Sequence, residues 1–114
     1  MIVMATKKKT FWISYDLGLK GDYPGMYKFL DALKAKECGD SLAFFSKELA
    51  SNGDYAQVIK DELTKNVGLS TTDRVYLIYL NDEGLIKGKF LNGGRKRAPW
   101  EGYAIGESQT DEGS

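Results

Sequence analysis

Two groups of residues in this chain have side chains suited to chemistry. The first is Asp16, which comes near the end of the stretch TFWISYDL (Thr10–Leu17), where aromatic and β-branched residues favour a strand. A strand that ends in this way delivers a carboxylate from a rigid support. The second is a basic run, Arg95, Lys96 and Arg97, which follows two glycines. A carboxylate can bind a divalent cation or move a proton, and a basic run can contact phosphate groups.

The chain contains no histidine, and this absence limits the chemistry that it can perform. It excludes Ser–His–Asp and Cys–His nucleophile systems, paired-histidine ribonuclease chemistry and nearly all catalytic zinc sites. General acid or base catalysis would depend on Asp, Glu, Lys or Tyr. A metal site would need oxygen ligands, which favour magnesium, manganese or calcium.

Asp16 has two interpretations. With its symmetry mate in a dimer it could hold Mg²⁺ or Mn²⁺, because two close carboxylates otherwise repel and raise each other's pKa. Alternatively, it could cap the following loop by accepting an N–H hydrogen bond from Gly18 or Leu19. Three other aspartates are predicted to be helix caps or turn residues: Asp22, Asp40 and Asp82.

The basic run has an aromatic neighbour and further lysines nearby. The predicted nucleic-acid-binding residues are therefore Lys87, Lys89, Arg95, Lys96, Arg97 and Trp100. Such a group could hold a phosphate backbone and stack a base. The alternative is a solvated loop whose Trp100 fills the core and whose charge is neutralised by Glu101 and the acidic tail. The formal net charge is zero, so any basic surface must be local.

Two helices and four further strands are predicted to position these residues. Asp22 is a predicted N-cap, with Pro24 in the first helical turn, where its missing N–H does no harm. Asp54, with Gln57 three residues later, resembles a capping box that opens the second helix. The remaining predicted strands are Ala35–Gly39, Ser41–Lys47, Arg74–Leu80 and Leu85–Leu91.

This order, βαββαβ plus one appended strand, predicts an α+β fold of the ferredoxin-like type. Right-handed crossovers then place two helices on one face of an antiparallel sheet. We divide the chain into a mobile leader (1–9), a single ferredoxin-like domain (10–105) and a disordered acidic tail (106–114). The lone Cys38 is predicted to be a small core residue, and it can form no intramolecular disulfide, which suits a cytoplasmic location.

Both faces of the predicted strands are apolar, although helices would cover only one of them. In the first strand Trp12 lies on the opposite side from Phe11, and the strand RVYLIYL is apolar on both sides. An uncovered apolar face predicts a two-fold homodimer packed through it. The alternative is that Phe90, Trp100 and Tyr103 fold back over the same face.

Short motifs give the chain a family resemblance. The strand ending in Tyr15 and Asp16 is followed by GDY before the first helix, and GDSLAFF contains the third strand. With the βαββαβ order, these motifs resemble the ferredoxin-like CRISPR adaptation protein superfamily, which includes the smaller of the two universal spacer-integration proteins. The similarity is to its SinR-like branch above all, with VapD-like toxins as relatives, and it runs from Thr10 to Phe90.

The resemblance implies a homodimer in which the fifth strand of each subunit pairs with the partner's sheet. In nuclease members it implies that the aspartate ending the first strand, here Asp16, is a catalytic and metal-binding residue served by Mg²⁺ or Mn²⁺. This chain lacks the arginine-bearing segment that those members place after the first strand, and their aromatic-Glu-Gly ending to the third strand.

Three functional hypotheses result. The first is a nucleic-acid-binding homodimer without catalysis, which contacts RNA or DNA through the basic run. The second is a metal-dependent endoribonuclease that uses Asp16 at the dimer interface. The third is a non-enzymatic protein-interaction or toxin–antitoxin-type module. None of them involves a membrane, because no stretch approaches the ~20 apolar residues of a membrane span.

Overall fold

The computed structural model describes residues 5–51 and 53–104. The elements follow one another as β1 (Thr6–Asp16), α1 (Tyr23–Ala32), β2 (Lys36–Gly39), β3 (Leu42–Ala50), α2 (Tyr55–Asn66), β4 (Arg74–Leu80) and β5 (Ile86–Asn92). The predicted acidic tail, 106–114, lies outside the described residues. Within those residues no helix is long and apolar enough to cross a membrane.

The five strands form one antiparallel sheet in the order β2-β3-β1-β4-β5. The 11-residue β1 is the middle strand, so its side chains have neighbours on both sides. The predicted α+β class is confirmed: a five-stranded antiparallel sheet with two helices is consistent with the ferredoxin-like fold. β5 is an edge strand that pairs on one side with β4 of its own chain, and the pairing of its other side with a partner's sheet, which the resemblance implied, stays a prediction.

The first strand is longer than predicted. It begins at Thr6, so residues 6–9, predicted as part of a mobile leader, belong to β1. Lysine is depleted in strands, so the run Lys7–Lys9 gave no sequence signal for this part of the strand. Backbone pairing with an equally extended β3, from Thr6 opposite Ala50 to Lys9 opposite Lys47, holds it in place. Asp82 also accepts contacts from the amines of Lys7 and Lys9, at 3.4 Å each.

Both predicted helix caps are confirmed. Asp22 accepts the amide N–H of Gly25 at 2.9 Å, and Asp54 accepts that of Gln57 at 3.1 Å. The Gln57 side chain donates to Asp61 instead of returning a bond to the cap, so the capping box is half formed. Asp22 also accepts the N–H of Gly68, at 2.8 Å, and thereby ties the start of α1 to the segment that follows α2.

Alternation along the strands gives the sheet two different faces. Phe11, Ile13, Val75 and Leu77 are fully buried and share one core with residues of both helices, so both helices cover this face. The opposite side, the open face, carries Thr10, Trp12, Ser14 and Asp16 of β1, Phe44 of β3, Tyr76 and Ile78 of β4, and Phe90 of β5.

The open face is not covered by the aromatic residues of the C-terminal segment. Trp100 is 73% exposed and Tyr103 is also exposed, so the interpretation in which Trp100 fills the core is wrong. Trp12 is 39% exposed in the middle of the sheet. Cys38 was predicted to be a core residue, but it is exposed on the edge strand β2, all four residues of which are exposed.

Candidate functional site

A pocket of about 260 Å³ lies on the open face near the carboxyl end of β1. Strand pairing explains its composition, because Asp16 lies opposite Arg74 and Ser14 opposite Tyr76, which in turn lies opposite Phe90. Directly opposed residues of antiparallel strands point to the same face. The lining residues are Ser14, Asp16, Arg74, Tyr76, Phe90 and Arg95.

The carboxylate of Asp16 is paired with a guanidinium. Arg74 Nη2 lies 2.8 Å from Asp16 Oδ2, with the side chains 29% and 60% exposed, respectively. Gly18, one of the two donors predicted for loop capping by Asp16, donates its amide N–H to Asp73 instead, so this part of the loop-capping interpretation is wrong. A solvated pair of this kind contributes only about 0–1 kcal/mol to stability. The pair is therefore weak enough for another anion to compete for Arg74.

Two aromatic rings form a wall of the pocket. The rings of Tyr76 and Phe90 meet edge to face, with centroids 4.7 Å apart and an angle of 66° between their planes. The guanidinium carbon of Arg95 lies 5.6 Å from the Phe90 centroid, in cation–π range. Arg95 makes no ion pair with any residue in 5–51 or 53–104. Its charge faces the pocket without a carboxylate partner there.

Gly88 gives the Tyr76 ring its position. It lies next to Tyr76 on the open face, and a Cβ at this residue would overlap the Tyr76 hydroxyl. Only a residue without a side chain leaves Tyr76 free to lie across β5 toward Phe90. This glycine therefore shapes the aromatic wall.

The predicted basic group is divided between the two faces of the sheet. Arg95 lies in the pocket with Asp16, so the structure brings together one residue from each sequence-based candidate group. Lys87 and Lys89 lie opposite Tyr79 and Leu77, which places them on the helix-covered side. The other three predicted residues lie beyond the pocket in exposed positions: Lys96, Arg97 and Trp100. Within this segment Arg97 pairs with Glu101 at 3.8 Å.

Sequence reasoning missed Asp73, which links the loop after β1 to the turn before β4 by hydrogen bonds. It is 2% exposed and is the only buried charged residue among those described. Its carboxylate accepts the amide N–H of Ser70 and that of Gly18, each at 2.8 Å. These two hydrogen bonds, the one from Ser70 first, lower the pKa of Asp73 although burial opposes them.

Through these bonds Asp73 joins the loop after β1 to the start of β4, directly beside the Asp16–Arg74 pair. The side-chain amide of Asn92 in β5 also stabilises this turn by donating hydrogen bonds to the backbone carbonyls of Ser70 and Asp73, at 2.9 and 2.8 Å. An Asp three residues after a Ser in a turn is a local signal for the Ser70 contact. The contact to Gly18 spans 55 residues and has no local signal.

The residues around Asp16 in this chain do not fit a divalent cation. The guanidinium of Arg74 pairs with Asp16 and Arg95 lines the same pocket, and both positive charges would repel a metal ion. No cluster of three or more Asp, Glu, Cys or His side chains occurs within the described part of the chain. The shared site formed by two symmetry-related Asp16 residues stays a prediction.

Comparison with models of protein families, with curated proteins and with solved structures finds no match to this chain. The resemblance to the CRISPR adaptation protein superfamily therefore also stays a prediction.

Proposed function

We propose that this chain is a ferredoxin-like protein that binds nucleic acid at the pocket on its open face. The observation that carries the proposal is the position of Arg95. Its guanidinium lies over Phe90, beside the Tyr76 ring and within the same pocket as Arg74. Phosphate-binding cations and base-stacking rings are the two elements that nucleic-acid sites combine.

Each pocket residue has a defined chemical task in this proposal. Arg95 supplies a guanidinium that has no carboxylate partner among the described residues, and such a group forms paired hydrogen bonds to phosphate oxygens. Arg74 is held by Asp16 at 2.8 Å and becomes a second phosphate contact when a phosphate replaces that carboxylate. Tyr76 and Phe90 present apolar surface to a base or a sugar. Ser14 adds a hydroxyl that can donate or accept a hydrogen bond.

Fluorescence anisotropy with labelled short RNA and DNA tests the proposal. We expect binding at about 50 mM salt that weakens steeply by about 200 mM, as phosphate contacts require. Arg95→Glu should abolish most of the binding, because it reverses the charge beside Phe90. The matched control is Arg97→Glu, which makes the same charge change outside the pocket, where Arg97 already pairs with Glu101.

The two variants separate a specific pocket from general attraction to a basic surface. If both lower the affinity equally, the pocket is not the binding site. If neither RNA nor DNA binds even at low salt, the proposed function is wrong.

A two-fold homodimer is a second proposal, and the apolar end of the open face favours it. Leu80 and Ile86 lie directly opposite each other across β4 and β5, both are exposed, and Ile86 is 76% exposed. Exposed apolar residues that cluster at one end of a sheet mark an interaction surface, which an isologous dimer would bury. Sedimentation velocity should show a dimer that Ile86→Lys dissociates. Monomers at high micromolar concentration would contradict this assembly.

A further inference from the structure

We infer that the nucleic acid bound by this chain is single-stranded, and that its bases stack on Trp12 and Phe44 next to the pocket. This inference rests on the proposed nucleic-acid binding and adds the class of ligand and a second contact surface. It starts from an exposed tryptophan in the middle strand of the sheet, a position where burial would be the ordinary outcome.

Trp12 and Phe44 form an aromatic pair on two adjacent inner strands, β1 and β3. They lie directly opposite each other, with ring centroids 6.4 Å apart and ring planes at 32°. On its other side Trp12 lies opposite Ile78 of β4. Trp12 is 39% exposed and Phe44 is partly exposed, so solvent reaches both residues. Aromatic side chains exposed on the sheet of a four-stranded α+β module are the surface on which RNA-recognition domains stack bases.

This pair continues into the pocket. Trp12 lies opposite Ile78, and Tyr76 is the next residue of β4 on the same face, so Trp12 and Tyr76 are diagonal neighbours. Diagonal positions are about 7–8 Å apart, within the reach of aromatic side chains. The open face therefore carries a path of four rings, one on each of four strands: Phe44, Trp12, Tyr76 and Phe90. Ring contacts join the two pairs Phe44–Trp12 and Tyr76–Phe90, and the diagonal register places the two pairs side by side.

The charges around this path suit a polyanion. Basic side chains lie at both of its ends, since Lys36 is opposite Phe44 and Arg95 lies over Phe90. Among the described strand residues of the open face, the carboxylates are Asp16 and Glu48. Asp16 is already paired with Arg74, and Glu48 lies opposite Lys8 at the far end of β1. No described carboxylate interrupts the four rings themselves.

The path of rings is expected to prefer single strands, because the faces of the bases are not accessible in a duplex. In a double helix the faces of the bases are stacked on one another, and only base edges and phosphates reach the surface. A flat row of rings flanked by cations can use the base faces only when they are free, as in single-stranded RNA or DNA.

Tryptophan emission tests this inference directly. The chain has two tryptophans, so Trp100→Phe leaves Trp12 as the single reporter. Trp100 is 73% exposed and lies outside the pocket, which makes it a safe position to change. We expect single-stranded oligonucleotides to quench Trp12 emission in proportion to the bound fraction measured by anisotropy. The duplex of the same sequence should bind more weakly and leave the emission nearly unchanged.

Substitution of the rings supplies the energetic test. Trp12→Ala and Phe44→Ala should each weaken single-strand binding by about fivefold to 150-fold, which is the loss of one stacked base. Trp12→Phe keeps a ring and should restore most of the affinity, which distinguishes stacking from a folding defect. Tyr27→Ala is the matched control, because it removes an exposed aromatic side chain of α1, outside the path and outside the proposed dimer surface.

The outcomes separate this inference from the proposed function. Binding by anisotropy that leaves Trp12 emission unchanged overturns the stacking inference and leaves nucleic-acid binding at the pocket intact. The absence of any binding overturns both. Emission that changes with protein concentration but not with added oligonucleotide assigns the Trp12 surface to a second copy of the chain and overturns the inference.

Discussion

Asp73→Ala is the perturbation that tests most directly how the pocket is supported. The substitution removes the acceptor of two backbone N–H groups, those of Ser70 and Gly18, which Asp73 holds at 2.8 Å each. A buried donor left without an acceptor destabilises a protein by about 1–3 kcal/mol. Since loops let water replace part of the loss, we expect the free energy of unfolding to fall by about 2–4 kcal/mol.

The assay is urea unfolding, followed by circular dichroism, of three variants. Asp73→Asn keeps one acceptor oxygen and should lose about half as much stability as Asp73→Ala. Asp31→Ala is the matched control, because this aspartate is exposed on α1 and its side chain makes no hydrogen bond or ion pair with a described residue. We expect Asp31→Ala to stay within about 0.5 kcal/mol of the parent protein.

A specific result would refute this reasoning. If Asp73→Ala unfolds at the same urea concentration as Asp31→Ala, the two hydrogen bonds do not hold the loops together. Asp73→Ala should also weaken oligonucleotide binding in the folded protein, because Asp73 precedes Arg74 and fixes the turn from which Arg74 enters the pocket.

Three further predictions follow from single contacts. Hydrogen bonds from backbone N–H groups lower the pKa of Asp73 and of Asp22 in the folded protein. The two ionised carboxylates therefore stabilise the fold fully above the ordinary carboxyl pKa, and this stabilisation is lost as the pH falls through their lowered pKa values. The free energy of unfolding, measured from neutral pH to about pH 2, should show this decline. Gly88→Ala should weaken oligonucleotide binding, because its Cβ would overlap the hydroxyl and the ring of Tyr76 and must move that ring away from Phe90; equal binding would contradict the placement of that ring. RNA incubated with Mg²⁺ or Mn²⁺ should stay intact, because Asp16 is paired with Arg74; cleavage that disappears in Asp16→Ala would restore the nuclease hypothesis.

Much of the fold could be predicted because its signals are local. The bounds of β4, Arg74–Leu80, match the prediction, since six consecutive apolar and aromatic residues after Arg74 leave little ambiguity. The caps at Asp22 and Asp54 were also predictable, because a cap contacts an amide only three residues away. Of the candidate site, the sequence indicated Asp16 and Arg95 but gave no reason to place them together.

What the amino-acid sequence determined by itself is therefore the set of elements and their order. Periodicity, caps and turns act within a few residues, so they are visible in the chain before it folds. The pocket depended on the tertiary structure, because its key pair joins Asp16 to Arg74 across 58 residues and exists only in one strand register. Strand pairing also determined which face of the sheet each residue lies on. Consecutive strand residues point to opposite faces, so Lys89 and Phe90 lie on different faces of the same sheet.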